Sequence, residues 1–305
     1  METRPLVSII MNCHNGERFL KEAINSVYDQ TYSYWEIIFW DNFSSDKSAE
    51  IAMSYDERVK YFFNQKKTSL GEARNLAMSK ASGKYVCFLD CDDMYFPTKL
   101  ELQVKMMESE NYALGYAGAK IIDERGKHIR NFPAKNKSGY IFRNLLKHYE
   151  INMQSVILRQ SYLIDNELNF NTNMSYCPDH NLFMNIASSN EVGVLQDYLV
   201  KYRLMKNSLS SKTMKIAGSE VRLTINEIAE KKPDLNKMYS REFLQANAKG
   251  NYYDSIASIH EGDYVNAKRI IFPFITLRLE YFVLYLLLFL KVPNDVILKL
   301  LHRKT

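Results

Sequence analysis

The chain has 305 residues, of which 46% are hydrophobic and 25% charged, and a formal net charge of +5. These proportions exclude a disordered polypeptide and suit one large α/β domain with an appendage. The basic residues are scattered, apart from a tail of Lys299, His302, Arg303 and Lys304. The charge therefore gives no reason to expect nucleic acid as a partner and supports only a weak attraction to anionic lipid or phosphate.

Residues 1–5 run straight into a strand-like segment without the basic and apolar stretches of a secretory signal, so a cytoplasmic location is expected. Residues 6–12, 35–41, 59–63 and 85–90 are short apolar runs rich in branched and aromatic side chains, as in strands buried on both faces. Helical patterns separate them. Phe19, Leu20, Ala23, Ile24 and Val27 share one stripe, Ser44 or Ser45 can cap a second helix, and Ser69 can cap a third carrying Ala73, Leu76 and Ala77. Strands alternating with helices imply a parallel sheet.

Pro97 can open a helix with Leu100, Val104 and Met107 on one side. Beyond it the order changes. Residues 113–123 read as a strand, 124–127 as a turn, 153–158 as a strand and 179–188 as a helix, so a mixed second half follows the parallel first half. After about residue 212 the pattern is helical, with a hairpin turning at Glu261, Gly262 and Asp263. Residues 281–290 are apolar throughout but too few to span a bilayer. The expected organisation is an α/β domain over residues 1–212, with a parallel half (1–100) and a mixed half (101–212), and a helical region over 213–305. Cys13, Cys87, Cys91 and Cys177 have no zinc-like spacing and are expected as reduced thiols.

Three segments carry chemistry. Phe88-Leu89-Asp90-Cys91-Asp92-Asp93 ends an apolar strand in three acids, and ligands of open parallel sheets bind at such carboxyl ends. Clustered carboxylates suit a hard divalent cation bridging phosphate oxygens; a solvated acidic turn capping the next helix would look the same. Trp40-Asp41-Asn42-Phe43-Ser44-Ser45-Asp46 repeats the acidic strand end, where a carboxylate can accept from a base or ribose, or simply cap a helix. Leu70-Gly71-Glu72-Ala73-Arg74-Asn75 puts Arg74 on a helix leading to the acidic strand, placed to offset a diphosphate or merely exposed.

With Val7-Ser8-Ile9-Ile10-Met11-Asn12-Cys13-His14-Asn15-Gly16-Glu17 ahead of them and Gly83-Lys84-Tyr85 before the acids, these segments in this order resemble the family 2 glycosyltransferases of the GT-A fold over about residues 5–210. The resemblance implies an α/β fold with a mixed, mainly parallel sheet, in which residues 1–212 are the catalytic domain, 1–100 its nucleotide-binding half and 101–212 its acceptor half. It implies that Asn12, His14, Asn15 and Glu17 line a nucleotide pocket, that Asp41 contacts the base, usually uracil, and that Arg74 lies near the base or diphosphate. Asp90 is implied near ribose and metal, Asp92 as main ligand of Mg²⁺ or Mn²⁺, and Asp93 as support.

Tyr176-Cys177-Pro178-Asp179-His180 is similar to the family's acidic helix start, commonly Glu-Asp; Pro178 replaces the first acid, leaving Asp179 as general base of an inverting transfer. Where relatives often carry Arg-x-His, this chain has Arg203-Leu204-Met205, so Arg203 or Lys206 is expected to supply positive charge. Gln154 and Ser155 match a stretch near donor sugar and acceptor.

The implied partners are a nucleotide-sugar donor, a glycan or polyprenyl-linked acceptor, and a membrane surface met by the C-terminal helices at the inner face of the cell membrane. Packing of residues 281–290 against the catalytic domain or against a second subunit is the alternative to a membrane surface. Two further function classes remain. A nucleotidyltransferase is disfavoured because the first strand lacks a glycine-rich, lysine-bearing phosphate loop. A non-catalytic sugar-nucleotide or scaffold protein is disfavoured by retention of Asp41, Asp90, Asp92 and Asp179.

Overall fold

The computed structural model describes residues 4–205, 213–293, 296–297 and 300. The chain divides into one unit ending at Lys206 and another beginning at Asn207. Residue 212, where the first domain is expected to end, lies outside the described residues, as do Lys206, Lys299, His302, Arg303 and Lys304.

The first unit is built on one sheet with strand order β3-β2-β1-β4-β8-β6-β9-β5, and β7 pairs with β6 at its side. β1 (Val7–Cys13), β2 (Trp35–Asp41), β3 (Val59–Phe63) and β4 (Tyr85–Phe88) form the parallel part. β2 and β4 are buried at every position, as expected of apolar runs covered on both faces. α1 (Leu20–Tyr28), α2 (Ser48–Met53) and α3 (Leu70–Met78) make the crossovers, and the stripe Leu20, Ala23, Ile24 and Val27 joins the core of β1 and β2. Ser69 caps α3, its Oγ accepting from Glu72 N at 3.3 Å.

Beneath β1, Glu36 Oε1 accepts from Ser8 Oγ at 2.6 Å, Ser82 N at 2.9 Å and Ser82 Oγ at 2.7 Å, while Lys60 pairs with Oε2. Through the three donors on Oε1, this buried carboxylate ties the start of β4 to β1.

β5 (Met94–Tyr95) and α4 (Lys99–Ser109) lead into the mixed half, where β6 (Leu114–Ile122) pairs antiparallel with β7 (His128–Phe132) and parallel with β9 (Val192–Arg203). Between them lie α5 (Phe142–Lys147), β8 (Ile157–Arg159), α6 (Gln160–Asp165) and α7 (Pro178–Ala187). β8 runs antiparallel to both β4 and β6 and joins the two halves.

Two expectations shift. The strand read over 153–158 starts late: Met153–Ser155 is a 3-10 turn, capped by Asn152 Oδ1 accepting from Gln154 N at 3.1 Å, and only Ile157–Arg159 pairs. Pro97 precedes α4 by two residues rather than opening it.

The second unit is helical: α8 (Ala217–Lys231), α9 (Pro233–Met238), α10 (Ser240–His260), α11 (Tyr264–Ile271) and α12 (Leu279–Phe289). α8 and α10 approach where a Cβ on Gly218 would stand 2.3 Å from Gly250 O, so only glycine permits the contact. The expected hairpin turns at Gly262, with φ +79, and Asp263 caps α11 by accepting from Asn266 N at 2.9 Å. Ala248, Ile259, Ala267, Ile271, Tyr281 and Leu284 belong to its core. No helix among the described residues is long and apolar enough to cross a membrane.

Candidate active site

At the carboxyl end of the parallel strands, the turn after β1 is locked to the loop after β2. Asn15 adopts φ 58, a left-handed conformation that asparagine tolerates, and its N donates to Ser44 Oγ at 3.0 Å while its Oδ1 accepts from Ser45 N at 2.8 Å. Gly16 N donates to Ser48 Oγ, Glu17 N to Asp46 Oδ2, and Lys47 N to Glu17 Oε2, the last two at 2.9 Å. Ser44 and Ser45 therefore do not cap α2, which begins at Ser48; they face the β1 turn instead. The side chains of Asn15 and Glu17 serve this loop-to-loop ladder, His14 is exposed, and Asn12 keeps a buried Nδ2 without a partner.

Asp41 is 1% exposed, with Oδ1 accepting from Ser44 N at 2.7 Å and Oδ2 from Tyr61 Oη at 2.9 Å. Each oxygen retains a second lone pair for a ligand donor. Asp41 and Asp90 leave the sheet two strands apart, about 10 Å at the usual inter-strand spacing.

The acid loop after β4 lies directly against the β1 turn: a Cβ on Gly16 would meet Cys91 Cβ at 2.8 Å and Cys13 Sγ at 2.9 Å. Cys91 Sγ donates to Asn12 O at 3.4 Å, so the neighbouring thiols in space are Cys13 and Cys91, not the sequence-near Cys87. All four cysteines are reduced and buried.

Asp90 and Gln154 form a reciprocal pair, Gln154 Nε2 donating to Asp90 Oδ2 at 2.6 Å and Asp90 N to Gln154 Oε1 at 2.9 Å. Arg74, buried, reaches Asp90 Oδ1 at 3.5 Å and lies over the Phe170 ring. Asp92 is pushed up to about 6 by burial and then by the charge of Asp90. Asp93 is wholly buried and held well above the carboxylate range by burial and by Asp92 and Asp90, its Oδ1 accepting from Arg203 N at 2.7 Å.

The Arg203 guanidinium, expected as free positive charge, is consumed beneath the loop. Nε donates to Asp92 O at 2.8 Å, a terminal nitrogen pairs with Glu22 Oε2 at 2.8 Å, and the group lies over the Phe19 ring. Arg203 thus braces the acids from behind.

Asp179 sits in the first turn of α7, where its own N–H and that of His180 donate to the carboxylate. Burial raises its pKa, the positive charge of Arg74 opposes the rise, and Asp90 adds to it. Asp90, Arg74 and Asp179 therefore share one electrostatic neighbourhood.

Two tyrosines join it that motif reading missed. Burial, then Asp93, Asp90, Asp92 and Asp179, raise the phenol of Tyr202 at the end of β9. Tyr149 carries a buried hydroxyl without a partner, its ring edge-on to His180 at 4.6 Å and its phenol raised by burial and by Asp179. Tyr202 was signalled only by its position at a strand end; Tyr149 lies in irregular chain that carries no periodic signal.

Among the described residues no group of three His, Cys, Asp or Glu could hold a metal ion alone. Asp90 and Asp92 are nonetheless hard oxygen donors under mutual repulsion. They fit a divalent cation that completes its shell with phosphate oxygens and water.

The model of the family described as glycosyl transferase family 2 matches residues 8–163. WfgD of Escherichia coli, a UDP-Glc:alpha-D-GlcNAc-diphosphoundecaprenol beta-1,3-glucosyltransferase, is 33% identical over 213 residues, covering 69% of this chain and 81% of WfgD. An uncharacterized glycosyltransferase of Rickettsia felis is 33% identical over 200 residues, 65% of this chain, and the chain spans only 33% of its length. Staphylococcus aureus TarS, solved with UDP-GlcNAc, shares the fold with TM-score 0.65 at 17% identity, covering 87% of this chain and 82% of TarS. A Pyrobaculum calidifontis mannosyltransferase solved with GDP-Man and Mn²⁺ does so with TM-score 0.61 at 15% identity, covering 97% of this chain and 87% of that one.

Proposed function

The chain belongs to glycosyl transferase family 2, and from that premise we propose that it moves a sugar from a UDP-sugar donor to a glycan or lipid-linked acceptor in cell-surface polysaccharide assembly. The reaction is an inverting transfer at the inner face of the cell membrane. The observation that carries this reading is the gathering of Asp90, Gln154, Arg74 and Asp179 around the acid loop at the carboxyl end of the sheet. The UDP-glucose and diphosphoundecaprenol in WfgD's name support the choice of donor and acceptor class.

Asn12, His14, Asn15 and Glu17, on the turn after β1, border the nucleotide, and the unpartnered Asn12 Nδ2 is available to donate to it. Asp41 accepts from the base through its remaining lone pairs, held in place by Tyr61 and Ser44. Asp90 and Asp92 would hold Mg²⁺ or Mn²⁺, which neutralises charge on a departing diphosphate. Gln154 fixes the carboxylate of Asp90, and Arg203 fixes the loop that carries Asp92.

Arg74 supplies fixed positive charge beside the leaving diphosphate. Asp179 takes the proton of the acceptor hydroxyl through a carboxylate oxygen as that hydroxyl attacks the anomeric carbon from the face opposite the diphosphate. Burial makes Asp179 a stronger base than an exposed carboxylate, which suits proton removal near neutral pH.

The test is nucleoside diphosphate release across a panel of nucleotide sugars with a polyprenyl-diphosphate-linked acceptor, using Asp179→Asn and Asp92→Asn. Transfer is expected to fall at least about a hundredfold in both variants, with UDP affinity in Mn²⁺ lost only in Asp92→Asn. Full turnover by Asp179→Asn would remove that residue from the mechanism.

A further inference from the structure

α12 carries apolar residues on two faces, and Glu280 in its first turn is its one charged side chain. Tyr281, Leu284 and Leu288 face the core of the second unit. The opposite stripe, Leu279, Phe282, Val283, Leu286, Phe289 and Leu290, has the i, i+3, i+4, i+7 spacing of a second packing face, yet every member is 39% to 77% exposed. The patch continues off the helix: Phe272, itself exposed, lies 5.4 Å from the Tyr285 ring, which stacks at 6.4 Å on Phe289. An exposed apolar surface that spans two elements calls for a cover.

The charges around it indicate which. Residues 264–291 contain Lys268, Arg269, Arg278 and Lys291 against a single acid, Glu280. Arg278, which precedes the helix, is paired with Glu280 at 3.2 Å, and exposed Lys291 follows the helix, so the net charge around the apolar stripe is positive with Lys268, Arg269 and Lys291 in excess. A twofold contact between copies would set this cationic rim against itself with one acid per copy to offset it. An anionic headgroup layer over an apolar interior complements both features.

We propose that the outward stripe of α12, with Phe272, docks on the surface of an anionic phospholipid bilayer. The helix lies in the interface and does not span it, in keeping with its 11 residues. This deepens the reading of a lipid-linked acceptor by naming the surface that brings the chain to it.

The test is co-flotation of the full chain with acceptor-free vesicles of phosphatidylcholine, with and without phosphatidylglycerol. The chain should float with the anionic vesicles and release at high salt. Phe282→Ser with Leu286→Ser should reduce partition about tenfold or more without changing turnover on a water-soluble acceptor. Lys268→Glu with Lys291→Glu should lose the preference for phosphatidylglycerol.

Failure of the wild-type chain to float at low salt, or flotation of the serine variant equal to wild type, would overturn the proposal. So would light scattering showing a dimer that the serine variant dissolves, which would assign the stripe to a second copy. Because the vesicles hold neither donor nor acceptor, failure here leaves the transferase reading standing, and failure of transfer leaves this one standing.

Discussion

Asp92 illustrates how a single side chain is tuned by its surroundings. Its ordinary pKa of 3.8 is pushed up to about 6, so the charged form is the one disfavoured by folding. The penalty is absent below the unfolded value and complete above the folded one. Stability is therefore lost as pH rises between these limits. Asp92→Asn should raise the stability of the metal-free protein at pH 7.5 by about 1 to 2 kcal/mol, and change nothing below about pH 4. The full shift is worth roughly 3 kcal/mol, trimmed by the solvent that a half-buried group still meets. Denaturant titrations at the two pH values check this; an equal gain at both would refute the assignment of the strain to charge.

Gln154 is the positioning counterpart. Its amide both donates to and accepts from Asp90, and Gln154→Ala should lower kcat/KM about 10- to 100-fold while leaving the melting temperature within a few degrees. Asp90 and Asp92 were legible in the sequence because an apolar run ending in acids marks a strand terminus. The grip of Gln154 was not, since its partner lies 64 residues away and only the fold brings them together.

Among the elements, β2 declared itself as a continuous apolar run and is buried at every position, whereas β3 falls where its run falls but, at the edge of the sheet, leaves Lys60 and Phe63 exposed rather than buried on both faces. Side-chain capping blurred the rest. Ser44 and Ser45 read as helix caps because serine favours that role, but the neighbouring β1 turn outcompetes it for them. Residues 153–155 read as strand because they run into the apolar Val156-Ile157-Leu158, but the Asn152 cap closes a turn.

The start of β4 carries an element-scale prediction. A Cβ on Gly83 would stand 2.7 Å from Leu6 O and Ser8 N and 2.8 Å from Ser8 Oγ, while Gly83 N donates to Ser8 Oγ. Backbone cannot yield as a flexible side chain can, so Gly83→Ala should cost about 2 to 4 kcal/mol. Chemical denaturation reads it; a loss below half a kcal/mol would show that β1 and β4 separate freely.

At the scale of the whole molecule, the order of motifs made the α/β transferase fold legible from sequence, and Asp41, Asp90 and Asp92 of the candidate site lie at or just after the ends of β2 and β4. Periodicity located the C-terminal helices but could not say that α12 would bury one apolar stripe and leave another exposed, because both stripes have the same composition. The residues that brace the acids come from far along the chain: Arg203 from the end of β9 and Gln154 from the turn before β8. A cation held there would also tie the strand-end acids to a diphosphate, so binding of nucleotide and metal should be mutually dependent.

Titration calorimetry of UDP, in Mn²⁺ and in chelator, on the wild-type chain and on Asp92→Asn tests this most directly. Mn²⁺ should tighten UDP binding about tenfold or more in the wild type, within the ordinary range of coupling between sites, and should have no effect in Asp92→Asn. Equal dependence on Mn²⁺ in both proteins would contradict the site described.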